Sequence, residues 1–313
     1  MHAPRRPHYE DQYLDLMRRV WESGDERVDR TGVGTRSLFG EQLRFDLSDG
    51  RIPLLTTKRV YWKAAAREML WFLSGESNIR PLVEQGVHIW TDWPLDSYRR
   101  ATSEVIDRDG FEARIIADAE FARKWGDLGP VYGVQWRHWP KYEAVEGDLW
   151  RRDPQGIDQI AALVESLSNN PASRRHIFTG WNVAELGGMA LPPCHMTYQF
   201  HVSGDGGLSC MLFQRSCDVA LGLPFNLFGA AMLTAMLAQQ TGLTARELVW
   251  SGGDVHLYLN HADLVDEQLS RQPSGDPRFA ILRRPDSIDG YAIEDFEVRD
   301  YAPQTHIAAP VAV

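Results

Sequence analysis

The chain has 313 residues, enough for one large domain or two ordinary ones, and its 43% hydrophobic and 24% charged residues fit a globular protein. With 33 basic against 43 acidic residues the formal charge is -10, which speaks against a general nucleic-acid or anionic-membrane binder, so any anion site must be local. Three cysteines, Cys194, Cys210 and Cys217, are a poor disulfide framework and predict a reducing, cytoplasmic setting. The polar N-terminus carries no apolar signal core, and the longest apolar helix candidate, about 227–238, is expected to be too short to span a bilayer.

In chain order, residues 9–23 carry Leu14, Met17 and Trp21 at helical spacing and stop at Gly24, predicting an amphipathic helix with a glycine C-cap. Leu43, Phe45 and Leu47 alternate with polar neighbours as in a half-buried strand. Residues 62–73 are rich in helix formers and close before Gly75; Glu68 lies inside this apolar helix, where a carboxylate is rare unless paired or functional. From about 95 to 124 charge is dense and apolar periodicity weak, which reads as a variable surface insertion. Residues 157–168 predict another helix.

Cys194, Met196, Tyr198, Phe200 and Val202 then alternate with His195, Thr197, Gln199 and His201, a strand, and a turn at 203–207 returns a second strand. Residues 227–241, apolar nearly all round, predict a buried helix ending at Gly242. Thr244 and Glu247 have capping-box spacing. His256 and Tyr258 alternate with Val255, Leu257 and Leu259 in a strand with one polar face, Asn260 is placed to cap the next helix, and Pro273 lies beyond that helix's end. No repeat or linker interrupts the pattern, so the expectation is one α+β domain over residues 1–313.

Strict alternation puts Cys194 and His195 on opposite faces, so the two make no catalytic dyad, and Cys194 alone reads as packing in an apolar strand. A working thiolate needs a cation or a helix N-terminus nearby. The antiparallel return brings Arg215 and Ser216 toward the start of the first strand, where a guanidinium would hold an anion and favour a thiolate. Arg30 and the doublet of Arg174 and Arg175 are further candidates, each taken singly an ordinary surface charge. Asn226 precedes a helix and is a candidate N-cap; its amide is also suited to read an amide edge such as N3–H and O4 of uracil. His256 and Tyr258 can bond a sugar hydroxyl, whereas His256 with His261 is a poor zinc pair without acidic or cysteine partners.

The stretches DRTGVGT, PLLTTKR, EMLWFLSGESN, GDLGPVYGVQWRHW, SRRHIF, LPPCH, QRSCDVALGLPFN, GGDVHLYLNH and the terminal APVAV resemble, in order, those of the folate-dependent thymidylate synthase family, from about residue 10 to Val313. The resemblance implies an α+β subunit with a large mixed sheet flanked by helices, a sheet-to-sheet homodimer, and reductive methylation of dUMP to dTMP with 5,10-methylenetetrahydrofolate as one-carbon and hydride donor, without a metal. It implies that Cys194 adds to C6 of the pyrimidine. Arg30, Arg215 and Ser216 would hold the phosphate, with Arg174 and Arg175 from the partner subunit. Asn226 would read the uracil edge and His256 and Tyr258 the deoxyribose hydroxyl. Glu68 would organise proton transfer, supported by Tyr132 and His195. For the folate it points to Trp90, Trp93, Leu221, Gly222 and Phe225 as walls, Asp218 on the pterin, Lys58 near the glutamate tail, and Val311, Ala312 and Val313 closing over the complex.

Two positions depart from the family pattern: Thr91 stands where Asp is usual after the tryptophan, and Ala230 where Tyr is usual. A dUMP hydroxymethylase on the same fold, in which water rather than hydride completes the reaction, is the nearest alternative. The intact terminal stretch and Trp90 favour the synthase, and Asn226 favours uracil over cytosine. A noncatalytic nucleotide-binding homologue is disfavoured by the joint presence of Cys194, Glu68 and Asn226.

Overall fold

A computed structural model describes residues 8–28 and 32–310. Helix α1 (Asp11–Ser23) buries Leu14, Met17 and Val20 on one stripe, while Trp21 is only partly buried and receives the Arg36 guanidinium over its ring, 5.1 Å from the centroid. Gly24 follows in an extended rather than left-handed conformation. Its requirement is space, because a Cβ there would lie 2.4 Å from the Val20 carbonyl oxygen. Short β1 (Asp25–Arg27) leads to β2 (Thr35–Asp46), whose Leu43 and Phe45 are buried as the alternation predicts. Helix α2 (Trp62–Leu73) turns Ala65, Ala66, Met69 and Phe72 inward, and α3 (Arg80–Val83) follows it.

The stretch expected to be a surface insertion folds as three helices, α4 (Asp92–Thr102), α5 (Arg108–Ala117) and α6 (Ala119–Trp125). They share an apolar centre of Leu95, Tyr98, Phe111, Ile115 and Phe121, all buried. Asp107 caps α5 by accepting from the Gly110 N–H, and Asp118 caps α6 by accepting from Glu120 and Phe121. Most of the charge density that masked the periodicity lies on the outer faces and at these caps, with Glu112 of α5 the buried exception.

After α7 (Tyr132–Arg137) come a separate hairpin, β3 (Trp139–Ala144) and β4 (Trp150–Ile157), and α8 (Gln159–Asn169). Strands β5 (Ile177–Thr179), β6 (His195–Val202), β7 (Gly207–Asp218) and β8 (Thr244–Tyr258) complete a six-stranded sheet ordered β1-β2-β8-β7-β6-β5. All neighbours are antiparallel except β7 and β8, which are parallel, so the sheet is mixed. The β7–β8 crossover is α9 (Gly222–Thr241), which packs between α2 and the sheet. By length and composition α9 is apolar enough to cross a membrane, longer than expected, but 72% of that stretch is buried and it is the core helix.

Residues 244–247 do not form a capping box. They open β8, which is hydrogen-bonded to β2 on one side and β7 on the other, and two complete ladders outweigh a local capping pattern. Asn260 does not cap α10 (Ala262–Ser270) either: it sits exposed in a single 3-10 turn, Leu259–His261, and His261 takes the N-cap position without a side-chain bond. A small antiparallel pair, β9 (Arg278–Ile281) and β10 (Phe296–Arg299), follows α10. One continuous set of buried residues runs from Tyr13 to Ile307.

Candidate active site

The β6–β7 hairpin decides the site. Cys194 stands one residue before β6, and the Arg215 N–H on β7 donates to its carbonyl at 3.0 Å. The Arg215 guanidinium donates to the carbonyls of Pro193 (2.9 Å) and Pro192 (2.8 Å) and reaches 4.0 Å from the Cys194 sulfur. It also lies over the Trp181 ring, 5.3 Å from the centroid. The two prolines before Cys194 thus supply carbonyls that fix the cation beside the thiol, and a fixed cation favours the thiolate. Cys210 and Cys217 are different: both are fully buried, and burial pushes the Cys210 thiol up to about 12 and the Cys217 thiol well above its ordinary value. Cys194 is half-buried and lines a cavity of ≈ 1260 Å³.

The expected alternation does not reach Cys194, which lies in a bend just before β6. The strand is irregular between His195 and Thr197, and Cys194 and His195 both line the same cavity rather than opposite faces. Burial lowers the His195 ring to about 4, against a smaller opposing effect of its hydrogen bond with Asn226, so it is neutral at physiological pH. Tyr132, the first residue of α7, accepts the Cys194 N–H at 2.7 Å. Burial, and then the nearby Cys194, raise its phenol well above the ordinary value, so its proton stays on.

Asn226 is not an N-cap. Helix α9 begins four residues earlier at Gly222, with Pro224 in its first turn, where a missing N–H has no partner to lose. The Asn226 Oδ1 accepts from Gln214 Nε2 at 2.8 Å, and Gln214 Oε1 accepts the Trp250 indole N–H at 2.9 Å. Gly252 allows this, since a Cβ there would lie 2.3 Å from the Trp250 ring. Gln214 is a site residue that sequence reasoning left unassigned, although it opens the stretch containing Arg215 and Ser216.

Glu68, on α2, faces the cavity and accepts the Trp90 indole N–H at 2.8 Å. Burial pushes its carboxyl up to about 7, and the Trp90 bond opposes that in part. The Trp90 and Trp93 rings lie 5.3 Å apart, and with Leu221, Gly222 and Phe225 at the start of α9 they line one side of the cavity. Asp218 accepts the N–H groups of Ala220 (2.8 Å) and Leu221 (3.1 Å), pinning the turn into α9, and it too lines the cavity. Ser216 lines it as well. His256 and Tyr258 reach it from one face of β8, their rings 5.4 Å apart, with His256 Nδ1 3.0 Å from Asp254 Oδ1. His261 is bonded separately to the Pro310 carbonyl.

Lys58 departs from expectation. It is 5% exposed, its ammonium donates to the Ala220 carbonyl, and burial lowers it to about 8. Its neighbour Arg59 lines the cavity instead, following a bend at residues 56–58 in which Thr56, Thr57 and Lys58 are all buried. Thr91 and Ala230 are 1% and 0% exposed and do not line the cavity. Arg174 and Arg175 are exposed and lie outside the cavity of their own chain. Arg30, Val311, Ala312 and Val313 lie outside the described residues.

A family model described as thymidylate synthase matches residues 11–313. A thymidylate synthase of Sphingopyxis alaskensis is 72% identical over 306 residues, covering 98% of this chain and 98% of its own. Those of Novosphingobium aromaticivorans (71%, covering 98% and 97%) and Rhizorhabdus wittichii (62%, covering 98% and 99%) are similar over the same span.

Proposed function

The chain belongs to the thymidylate synthase family, and from that premise we infer how its own residues carry out the reductive methylation of dUMP to dTMP, with 5,10-methylenetetrahydrofolate as co-substrate. The observation that carries the reading is the placing of Arg215 Nη2 4.0 Å from the Cys194 sulfur in the same cavity as Glu68 and Asn226. The cavity's ≈ 1260 Å³ exceeds what one small ligand usually fills and leaves room for a nucleotide and a folate together.

Cys194 acts as the nucleophile: its thiolate adds to C6 of the uracil, and the C5–C6 pair moves toward C5 and O4. Arg215 holds the thiolate and, with Ser216 and Arg30, the nucleotide phosphate. Asn226 reads N3–H and O4, and Gln214 fixes which end of its amide faces the base. His256 and Tyr258 hold the sugar hydroxyl. Glu68, with a carboxyl near 7, both gives and takes a proton at neutral pH and moves protons at O4 and C5. Tyr132, holding the Cys194 N–H, and neutral His195 keep the nucleophile and the Asn226 amide in place. The co-substrate supplies the one-carbon unit and the hydride. Trp90, Trp93, Leu221 and Phe225 give it a flat apolar wall, Asp218 a polar contact at the pterin, and residues 311–313 a cover that excludes water.

Completion by water loses its motive, because the two positions that departed from the family pattern, Thr91 and Ala230, are packed away from the cavity. Mass analysis of the nucleotide formed from dUMP and methylenetetrahydrofolate tests this: dTMP with stoichiometric dihydrofolate is expected, and 5-hydroxymethyl-dUMP without dihydrofolate would overturn it.

The working unit is a homodimer. Helices cover one face of the sheet, while Ile177, Thr179, Thr197, Gln199, Met211 and Phe213 share the other, where Ile177 is 47% exposed. A second copy on that face would cover it and bring its Arg174 and Arg175 to the phosphate site. The unbroken core supports a single domain over residues 1–313, and an odd count of three cysteines, a poor disulfide framework, supports work in the cytoplasm.

A further inference from the structure

We propose that Glu112, carried by α5 of the inserted helices, is a positioning residue for the pair formed by Trp90 and Glu68. Glu112 is 6% exposed. One carboxylate oxygen accepts the Thr91 hydroxyl proton at 2.5 Å, and the other lies 2.8 Å from His88 Nδ1. One turn earlier on the same helix, the Arg108 guanidinium is paired with Asp92, its Nε at 3.2 Å from Oδ1. Helix α5 therefore grips the segment 88–92 at three side chains, and Trp90 lies within that grip.

Trp90 has a directional task. Its indole N–H must point at Glu68 Oε1, 2.8 Å away, while its ring stays among Phe72, Trp93 and Tyr132, at centroid distances of 6.2, 5.3 and 5.9 Å. Ring contacts alone tolerate sliding, whereas an N–H donor bond does not. The backbone on either side of Trp90 is set by His88 and Thr91, and Glu112 ties both to one rigid helix. The same geometry accounts for Thr91: a carboxylate at that position would face the Glu112 carboxylate at contact distance inside the fold, where two like charges are strongly unfavourable. The inserted helix brings its own acid, so the residue after the tryptophan must be a donor.

The inference rests on Glu68 as the proton-handling group. Its test is the pH dependence of turnover in Thr91→Val, Glu112→Ala, Glu112→Gln and Glu68→Gln enzymes, with dUMP KM and thermal midpoint measured alongside. Thr91→Val is nearly isosteric and guards against a variant that fails to fold. Losing the Trp90 bond removes support for charged Glu68, so the limb belonging to Glu68 should move to higher pH in Thr91→Val and Glu112→Ala, with kcat lower by about tenfold and dUMP KM unchanged. Glu112→Gln keeps an acceptor for Thr91 and should restore the limb. The Thr91→Val/Glu112→Ala double variant should be no worse than either single one. A limb that stays in place in both single variants, with only the thermal midpoint lowered, would reduce Glu112 to a packing role and overturn the inference. If Glu68→Gln itself leaves the limb intact, the assignment of Glu68 falls and this inference with it; if Glu68→Gln abolishes the limb and the others do not move it, the inference alone falls.

Discussion

The Arg215 guanidinium lies 4.0 Å from the Cys194 sulfur while bonded to the carbonyls of Pro192 and Pro193. The cation is held by backbone that cannot move away, so it acts on the sulfur before any phosphate arrives. Arg215→Lys keeps the charge but cannot reach both carbonyls and the sulfur together. We expect kcat/KM for dUMP to fall by about 100-fold in this variant. The alkylation of Cys194 by iodoacetamide should need higher pH than in the wild type, and an unchanged alkylation profile would separate Arg215 from the thiolate.

Glu68 carries a stability signature. Its folded carboxyl sits at about 7, above the 4.5 of an ordinary Glu, so between those values the folded state holds a proton that the unfolded state has lost. Its favourable contribution is complete below 4.5 and is lost as pH rises through about 7. Glu68→Gln should remove that slope and stabilise the protein above pH 7 by up to about 3 kcal/mol, with turnover down by about 1000-fold. Urea unfolding between pH 5 and 8 reads the first effect and steady-state kinetics the second.

Asn226 presents an amide oriented by Gln214. Asn226→Asp places an acceptor where a donor meets O4 of uracil, and a carboxylate accepts instead from the exocyclic amine of cytosine. Affinity for dUMP should fall by about 2 kcal/mol while dCMP binding appears. Calorimetric titration with both nucleotides tests this.

Arg174 and Arg175 stand outside their own cavity. If each site borrows them from a second copy, Arg174→Ala/Arg175→Ala protein and Cys194→Ser protein, both inactive, should complement when subunits are reassorted. Half the dimers would be mixed, each with one intact site, giving about a quarter of wild-type activity. No recovery after verified exchange would place the arginines in their own subunit's site.

Much of the site was legible in the sequence because the β6–β7 turn is short and fixes the antiparallel register: once Cys194 and Arg215 lie on opposite arms of that hairpin, they have to meet. Period-two reasoning failed at Cys194, which sits in a bend just before β6, outside the alternating strand, so that both it and His195 line one cavity. The start of α9 was hidden by Gly222 and Pro224, which suggest a turn yet are acceptable in a helix's first turn. Only the family resemblance places Lys58 near the folate, but the bend at 56–58 buries it with Thr56 and Thr57 and leaves Arg59 on the cavity. The inserted helices were obscured by their own surface charge, and Glu112 among them is recognisable only through its contacts with Thr91 and His88.

Covalent capture of the substrate analogue 5-fluoro-dUMP in the presence of methylenetetrahydrofolate tests the central claim most directly, because the fluorine at C5 cannot leave as a proton does and the adduct is trapped. Intact-mass and peptide mapping should find one nucleotide–folate adduct per active site, on the peptide containing Cys194, and none in Cys194→Ser protein. An adduct on Cys210 or Cys217, or one that persists in the Cys194→Ser protein, would contradict the assignment of Cys194 as the nucleophile.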